Sequence, residues 1–267
     1  MTDIRNSSDF RSIDIDRVGI KNLIYPIVLR DRTKELQQTT ATINFYADLP
    51  KQFKGTHMSR FVEVLNEMYS QIDVRRIDEI LNRLKSRLEA STAHIEISFP
   101  YFVMKSAPVS GSKGFVGYKC TISASSDSSG ERSEMISVQV PLTAVCPCSK
   151  ESADRGAHNQ RSDVTVTAEI NEFIWLEEII SIVEKSGSYE IFTHLKREDE
   201  KFITEHAYDN PTFVEDIVRN VADELRRDSR IDWFTVEAEN YESIHSHNAY
   251  ASIHQNLARN RQSSSRS

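Results

Sequence analysis

The segment Pro141–Ser162, PLTAVCPCSKESADRGAHNQRS, decides how the chain is read. An apolar, β-prone run (Met135, Ile136, Val138, Val140) leads into it, and an alternation of polar and β-branched residues from Asp163 to Ala168 leads out. The segment is therefore a long connection between two strands, and its composition is chemical. Cys146 and Cys148 stand at its start and His158 near its end. Thiolate and imidazole are good ligands for zinc and related divalent ions, but a catalytic centre takes three protein ligands and keeps one position open. The third must come from elsewhere in the chain. Pro147 favours an extended or turned backbone, on which residues two apart point to opposite sides, so one of Cys146 and Cys148 is expected to bind and not both.

Outward from this connection the order of elements repeats. Towards the N-terminus, Ile20–Leu29 and Thr39–Tyr46 read as a strand pair. A helix follows from about Ser59 (Phe61, Val62, Leu65, Met68, Ile72), then a second after Asp73 (Ile77, Ile80, Leu81, Leu84, Leu88), then strands at His94–Val103 and Phe115–Ala124. Towards the C-terminus, Glu134–Pro141 and Ser162–Ile170 form a strand pair around the cysteine/histidine connection. A helix with Trp175, Ile179, Ile182 and Val183 stops at Ser186-Gly187. Asn210-Pro211 supplies a cap and first turn for a helix with Phe213, Val214, Ile217, Val221 and Leu225, and strands at Asp232–Ala238 and Ala249–Ile253 close the pattern. The fold class is α+β: ββααββ twice, antiparallel sheets with helices on one face, in modules expected over 17–130 and 131–255, with a disordered tail over 256–267. Edges and apolar faces of such sheets invite an oligomer.

With 267 residues, 39% of them hydrophobic, the chain can bury one large core or two smaller ones. Its three cysteines do not form a disulfide framework, the N-terminus has no signal-peptide pattern, and no apolar run is long enough to span a membrane. The expected setting is reducing and cytoplasmic. A formal charge of −7 argues against a nucleic-acid surface and leaves room for a local basic cluster that holds a small anion.

Partners for the cysteine connection are sought in charged loops. Residues 194–216, HLKREDEKFITEHAYDNPTFVED, form a long charged connection containing Glu200, and Glu215 falls in the first turns of the following helix, where the dipole favours an anion. In YESIHSHNAYASIH, from Tyr241, His245 and His247 share one side of an extended chain. His57 and Arg60 stand at a helix N-terminus, a place for an anion, and the Gly-rich GSKGFVGYK (111–119) lacks the Walker A pattern.

Together GTHMSRF, CPCSKE…GAHNQRS, LKREDEK…TEHAYDNPTFVED and ESIHSHNAYA resemble the IB type of GTP cyclohydrolase I, in this order and over about Asp14 to His254. The resemblance implies a tandem tunnelling fold whose paired sheets close into barrels in a homotetramer, with active sites at subunit boundaries. It implies one divalent metal per subunit (zinc, manganese or iron) on Cys146, His158 and Glu200, guanine anchored by Glu215, and His245 as the acid–base group. Lys150, Arg155, Arg161, Lys196 and Arg197 are candidates for the triphosphate, with His57 and Arg60 from a neighbouring subunit. The implied reaction opens the guanine ring of GTP, releases formate and closes to 7,8-dihydroneopterin triphosphate, the first step of tetrahydrofolate synthesis. Three alternatives compete: a relative yielding a cyclic phosphate, a deazapurine nitrile reductase with a covalent cysteine, and a metal-stabilised binding protein whose site is closed by Cys148 or His247.

Overall fold

The computed structural model describes residues 10–32, 36–68 and 77–258. Ile72 and Asp73 of the expected first helix pair, and the tail from residue 259 onward, lie outside the described residues. Two compact units emerge, one of residues 1–100 and 121–135, the other of 101–120 and 136–267.

In the first unit β1 (Ile15–Arg30) pairs antiparallel with β2 (Leu36–Leu49), and β2 with β3 (Ala93–Ser106), Phe45 opposite Ile95. β4 (Lys113–Ser126) and the start of β5 (Arg132–Val145) complete this sheet. Both β1 and β2 run longer than their apolar cores suggest, because ladder hydrogen bonding continues through polar residues that one-sided alternation does not mark. Helices α1 (Met58–Met68) and α2 (Ile77–Leu88) bury Phe61, Val64, Leu65, Ile77, Ile80, Leu81 and Leu84. All but Val64 belong to the expected helical period, whereas Val62 of that period is only half-buried, and burying each such side chain contributes roughly 1.5–3 kcal/mol.

In the second unit the far half of the β3–β4 hairpin and β5 continue to β6 (Asn159–Ile170), β8 (Ile231–Asn240) and β9 (Ala249–Asn256), with the two-residue β7 (Tyr189–Glu190) on β5. β6 and β8 pair from Ser162↔Asn240 to Ile170↔Ile231. Strict alternation on β6 buries Gln160, Ser162, Val164, Val166, Ala168 and Ile170. Helices α4 (Leu176–Glu184) and α6 (Val214–Leu225) supply the apolar cover, α6 with Val214, Ile217, Val218, Val221, Ala222 and Leu225.

Three local results depart from the sequence reading. Cys-Pro-Cys is not an extended spacer but the start of a short helix, α3 (Pro147–Ser152), because proline's fixed φ and missing N–H suit a first helical position. The charged connection before the last helix contains a helix of its own, α5 (Arg197–Asp209), hidden from periodicity because it buries only Asp199 and Ala207. Helix α6 starts at Val214 and not at Pro211, since the Thr212 N–H donates to Val145 O (3.0 Å) at the end of β5 and draws the chain there before it turns.

Candidate active site

The ends of β5, β6 and β8 meet where the sequence concentrated its chemistry. Cys146 caps α3 with extended backbone, its Sγ accepting from the Ser149 N–H at 3.4 Å, and Lys150 N donates to Cys146 O at 3.1 Å. The Cys146 N–H donates to His158 O (3.1 Å), and the His158 N–H donates to Ser149 Oγ (3.2 Å). Two hydrogen bonds thus close the connection on itself and join the cysteine to the histidine. Cys146 is partly buried and Cys148 exposed, so the first is the sheltered thiol.

The His158 ring is oriented from behind. Nδ1 lies 2.9 Å from Gln160 Oε1, and Gln160 Nε2 donates to Glu242 Oε1 at 3.2 Å. The other Glu242 oxygen lies 3.8 Å from His158 Nδ1, and both side chains are largely buried. Since Gln160 Oε1 can only accept, Nδ1 is the donor of this bond, and in the neutral ring Nε2 is then the nitrogen open to a metal. Gln160 and Glu242 were not singled out from the sequence. The one available signal is parity: Gln160 is polar on the buried face of β6, two residues from His158. Next to them Ser162 Oγ and Asn240 Oδ1, on Cα partners, are buried without a hydrogen-bond partner among the described residues, which marks a polar site and not a core.

The neighbouring loop runs from Tyr241, whose N–H donates to Arg161 O (2.9 Å) and whose hydroxyl donates to Asp163 Oδ2 (3.2 Å). The Asp163 carboxylate beside it pushes the Tyr241 phenol above its ordinary pKa. Beyond Glu242 the chain bends through exposed Ile244, His245 and His247, and the two imidazoles stack with centroids 5.2 Å apart. They are neighbours, as their spacing suggests, but in a bent loop and not on a strand.

Glu200 lies in the first turn of α5, exposed. It shares that turn with Glu198 and with buried Asp199, whose carboxyl is held well below the usual range. Burial opposes its ionisation, and donors from Ser110, Lys196 and Val109 outweigh that cost. The far end of α5 is tied to the cysteine connection: Lys150 Nζ donates to Tyr208 O (2.6 Å) and sits over the Tyr208 ring. From Tyr208 back to Glu200 is roughly 12 Å along a helix axis at 1.5 Å per residue. Among the described residues no three His, Cys, Asp or Glu side chains are grouped so as to hold a metal ion, so within one chain Glu200 does not join Cys146 and His158, which are linked through their backbones. Glu215 stands exposed in the first turn of α6, three residues beyond the Thr212–Val145 hydrogen bond.

Of the basic candidates, Arg155, Arg161, Lys196 and Arg197 are exposed and their side chains form no ion pair among the described residues. Lys150 is engaged with Tyr208 as above, and Arg60 donates from Nη1 to Arg87 O at 2.9 Å, closing the C-terminus of α2. His57 O accepts from the Arg60 N–H (3.1 Å) at the start of α1.

Residues 1–251 match the family described as type I GTP cyclohydrolase FolE2. The chain is similar to the GTP cyclohydrolase FolE2 of Magnetococcus marinus, 52% identical over 253 residues that cover 95% of each chain. It is equally similar (52%) to that of Syntrophus aciditrophicus, over 95% of this chain and 99% of the relative. Among solved structures, a uricase from Bacillus fastidious superposes with a TM-score of 0.54 over 92% of this chain and 95% of its own, at 7% identity. Urate oxidase from Bacillus subtilis 168 gives 0.52 over 91% and 99%, at 8% identity. At such identity the likeness concerns the fold alone, the tunnelling fold: α+β, with antiparallel sheets and helices on one face.

Proposed function

The chain belongs to the type I GTP cyclohydrolase FolE2 family, and from that membership we propose that its active centre forms around Cys146 and His158. The reaction is hydrolytic opening of the guanine ring of GTP, release of formate and closure to 7,8-dihydroneopterin triphosphate. The observation that carries this reading is the backbone hydrogen bond that holds Cys146 against His158, with His158 Nδ1 engaged by Gln160. A sulphur and a nitrogen donor on neighbouring backbone positions fit a divalent cation. Cys146 and His158 would hold it, with Glu200 as the third ligand. Because Glu200 is not grouped with the pair within one chain, its approach needs either a shift of α5 or the α5 of a second copy, which is in keeping with a homotetramer whose sites lie at subunit boundaries. The bound cation supplies a water acidified enough to attack at neutral pH.

The protein's own groups do the rest. Glu215 accepts from the N1–H and 2-amino group of guanine; adenine lacks this donor pair and would leave the carboxylate unmatched. His245 delivers a proton to the imidazole portion of the base as water adds at C8, then moves protons as the C8–N9 bond breaks to leave a formamide on N7, a second water cleaves C8–N7 to release formate, and ring closure returns one water. Arg155, Arg161, Lys196 and Arg197, whose side chains form no ion pair among the described residues, meet the triphosphate, with Lys150, and with His57 and Arg60 of a neighbouring copy at its edge. Zinc suits the thiolate best, and manganese or iron suits a mixed sulphur, nitrogen and oxygen set. Among the described residues no helix is long and apolar enough to cross a membrane, in keeping with work in the cytoplasm.

The test is to strip the protein of metal, reload it with zinc, manganese or iron, and supply GTP. Formate and a pterin that keeps all three phosphates are expected. A cyclic phosphate would make it a different cyclohydrolase, and metal uptake without formate would make it a binding protein.

A further inference from the structure

Helix α5 is an unusual helix for its length. Its 13 residues bury only Asp199 and Ala207, whereas α6, with 12, buries Val214, Ile217, Val218, Val221, Ala222 and Leu225. Apolar packing therefore fixes the rotation of α6 and leaves that of α5 nearly free. At its C-terminal end α5 is steadied by the ring cluster of Tyr189, Phe202 and His206 and by Lys150 on Tyr208 O. At its N-terminal end the anchor is one carboxylate. Asp199 Oδ1 accepts from the N–H groups of Val109 (2.9 Å) and Ser110 (2.8 Å), and Oδ2 accepts from Ser110 Oγ (2.6 Å) and the Lys196 N–H (2.8 Å).

Four donors fill the four acceptor positions of an ionised carboxylate. One bond closes the first turn of α5 on its own cap, and three tie it to the turn of the β3–β4 hairpin. That turn is itself defined: Ala107 N donates to Ser112 O (2.8 Å), and Gly111 takes a positive φ of 67°. The single proton of Ser110 Oγ goes to Asp199, so Ser112 Oγ, 2.9 Å away, is the donor to Ser110 Oγ. On a helix, Arg197 and Glu200 lie three apart on one face and Asp199 points away from both. Holding Asp199 inward thus turns the other two outward, and both are exposed.

We infer that Asp199 is a positioning residue, which through the hairpin turn at Val109–Ser110 fixes the rotation of the first turn of α5 so that Glu200 is presented to the metal. This rests on the assignment of Glu200 as the third ligand. Asp199 touches neither substrate nor metal, and its effect is read through Glu200.

The experiment measures metal affinity by competition with a chromophoric chelator, alongside kcat, KM and thermal melting, for the wild type, Asp199→Asn, Ser110→Ala and Glu200→Gln. Asparagine at 199 turns a donor towards donors. The expected loss is about 10- to 100-fold in metal affinity, as for other groups that orient a ligand. kcat should fall with it while KM for GTP and the cooperative melt are kept. Ser110→Ala removes one donor of four and should move affinity the same way by less, which keeps the test open if Asp199→Asn fails to fold. Wild-type metal affinity in both Asp199→Asn and Ser110→Ala, with metal lost in Glu200→Gln, overturns the inference and leaves the ligand assignment standing. Retention of metal by Glu200→Gln overturns the assignment and the inference together.

Discussion

The two halves of the chain join their first strand pairs in different ways. β1 ends at Arg30 and β2 starts at Leu36, while between β5 and β6 the chain takes residues 146–158 and folds α3 on the way. The helical layers differ likewise. Among the described residues α1 is followed by α2, but between α4 and α6 the second half carries β7 and α5. The same ββααββ order thus holds in both halves, and the added chain of the second contains Cys146, His158 and Glu200. A repeated scaffold gains chemistry where its connections lengthen, because loops are free to carry ligands that a packed face would reject. If so, substitutions in the added segments cost function while stability holds, and substitutions at turns of the first half cost stability alone.

The largest effect is expected at Cys146. Cys146→Ala should lose bound metal and bring formate release to background, whereas Cys148→Ala keeps both, as its exposure in α3 suggests. Metal content per chain and formate assay check this, and metal retained in Cys146→Ala would end the account of the second half. His245→Ala should slow ring opening by about 10²- to 10⁴-fold with an unchanged melt, since the exposed imidazole does not pack. If His247→Ala shows the larger loss in the same assay, the two stacked histidines exchange roles. Glu242→Gln should weaken metal binding by about 10- to 100-fold, because it disturbs the Gln160 bond that sets the His158 tautomer. Chelator competition reads it, and unchanged affinity would reduce Glu242 to a structural carboxylate.

Glu215→Gln separates guanine recognition from metal chemistry. It exchanges an acceptor for a donor and removes a charge, so GTP affinity should fall by about tenfold or more with metal content unchanged. Loss of metal instead would show that the roles of Glu200 and Glu215 had been exchanged. The smallest effect belongs to the first half. Asp127 turns the chain between β4 and β5 by accepting from Ser129 and from the Glu131 N–H, and the Ser129 hydroxyl bond above all holds its carboxyl below the usual range. Such a group stabilises fully above the unfolded carboxyl range, near pH ~4, and its contribution fades as pH falls through the lower folded value. Melting temperatures should therefore separate wild type from Asp127→Asn at neutral pH and converge in acid, with turnover at pH 7 unaltered. A change in turnover would blur the division between the halves.

Sequence by itself determined the order of the long strands and of α1, α2, α4 and α6, though not α3, β7 or α5, and the residue types of the candidate site. These follow from periodicity and from ligand chemistry, both local in the chain. The helical face of α6 was legible because Val214, Ile217, Val221 and Leu225 repeat at its period, although Phe213, read with them, is exposed ahead of the helix; α5 was not, because its buried residues, Asp199 and Ala207, show no repeat. Only the tertiary structure decided that Cys-Pro-Cys opens a helix, that Gln160 and Glu242 stand behind His158, and that Asp199 is spent on the hairpin turn while its neighbour Glu200 is exposed. Glu198, Asp199 and Glu200 are alike as sequence. What separates them is which way a turn of helix faces, and that is set by donors some 90 residues earlier in the chain.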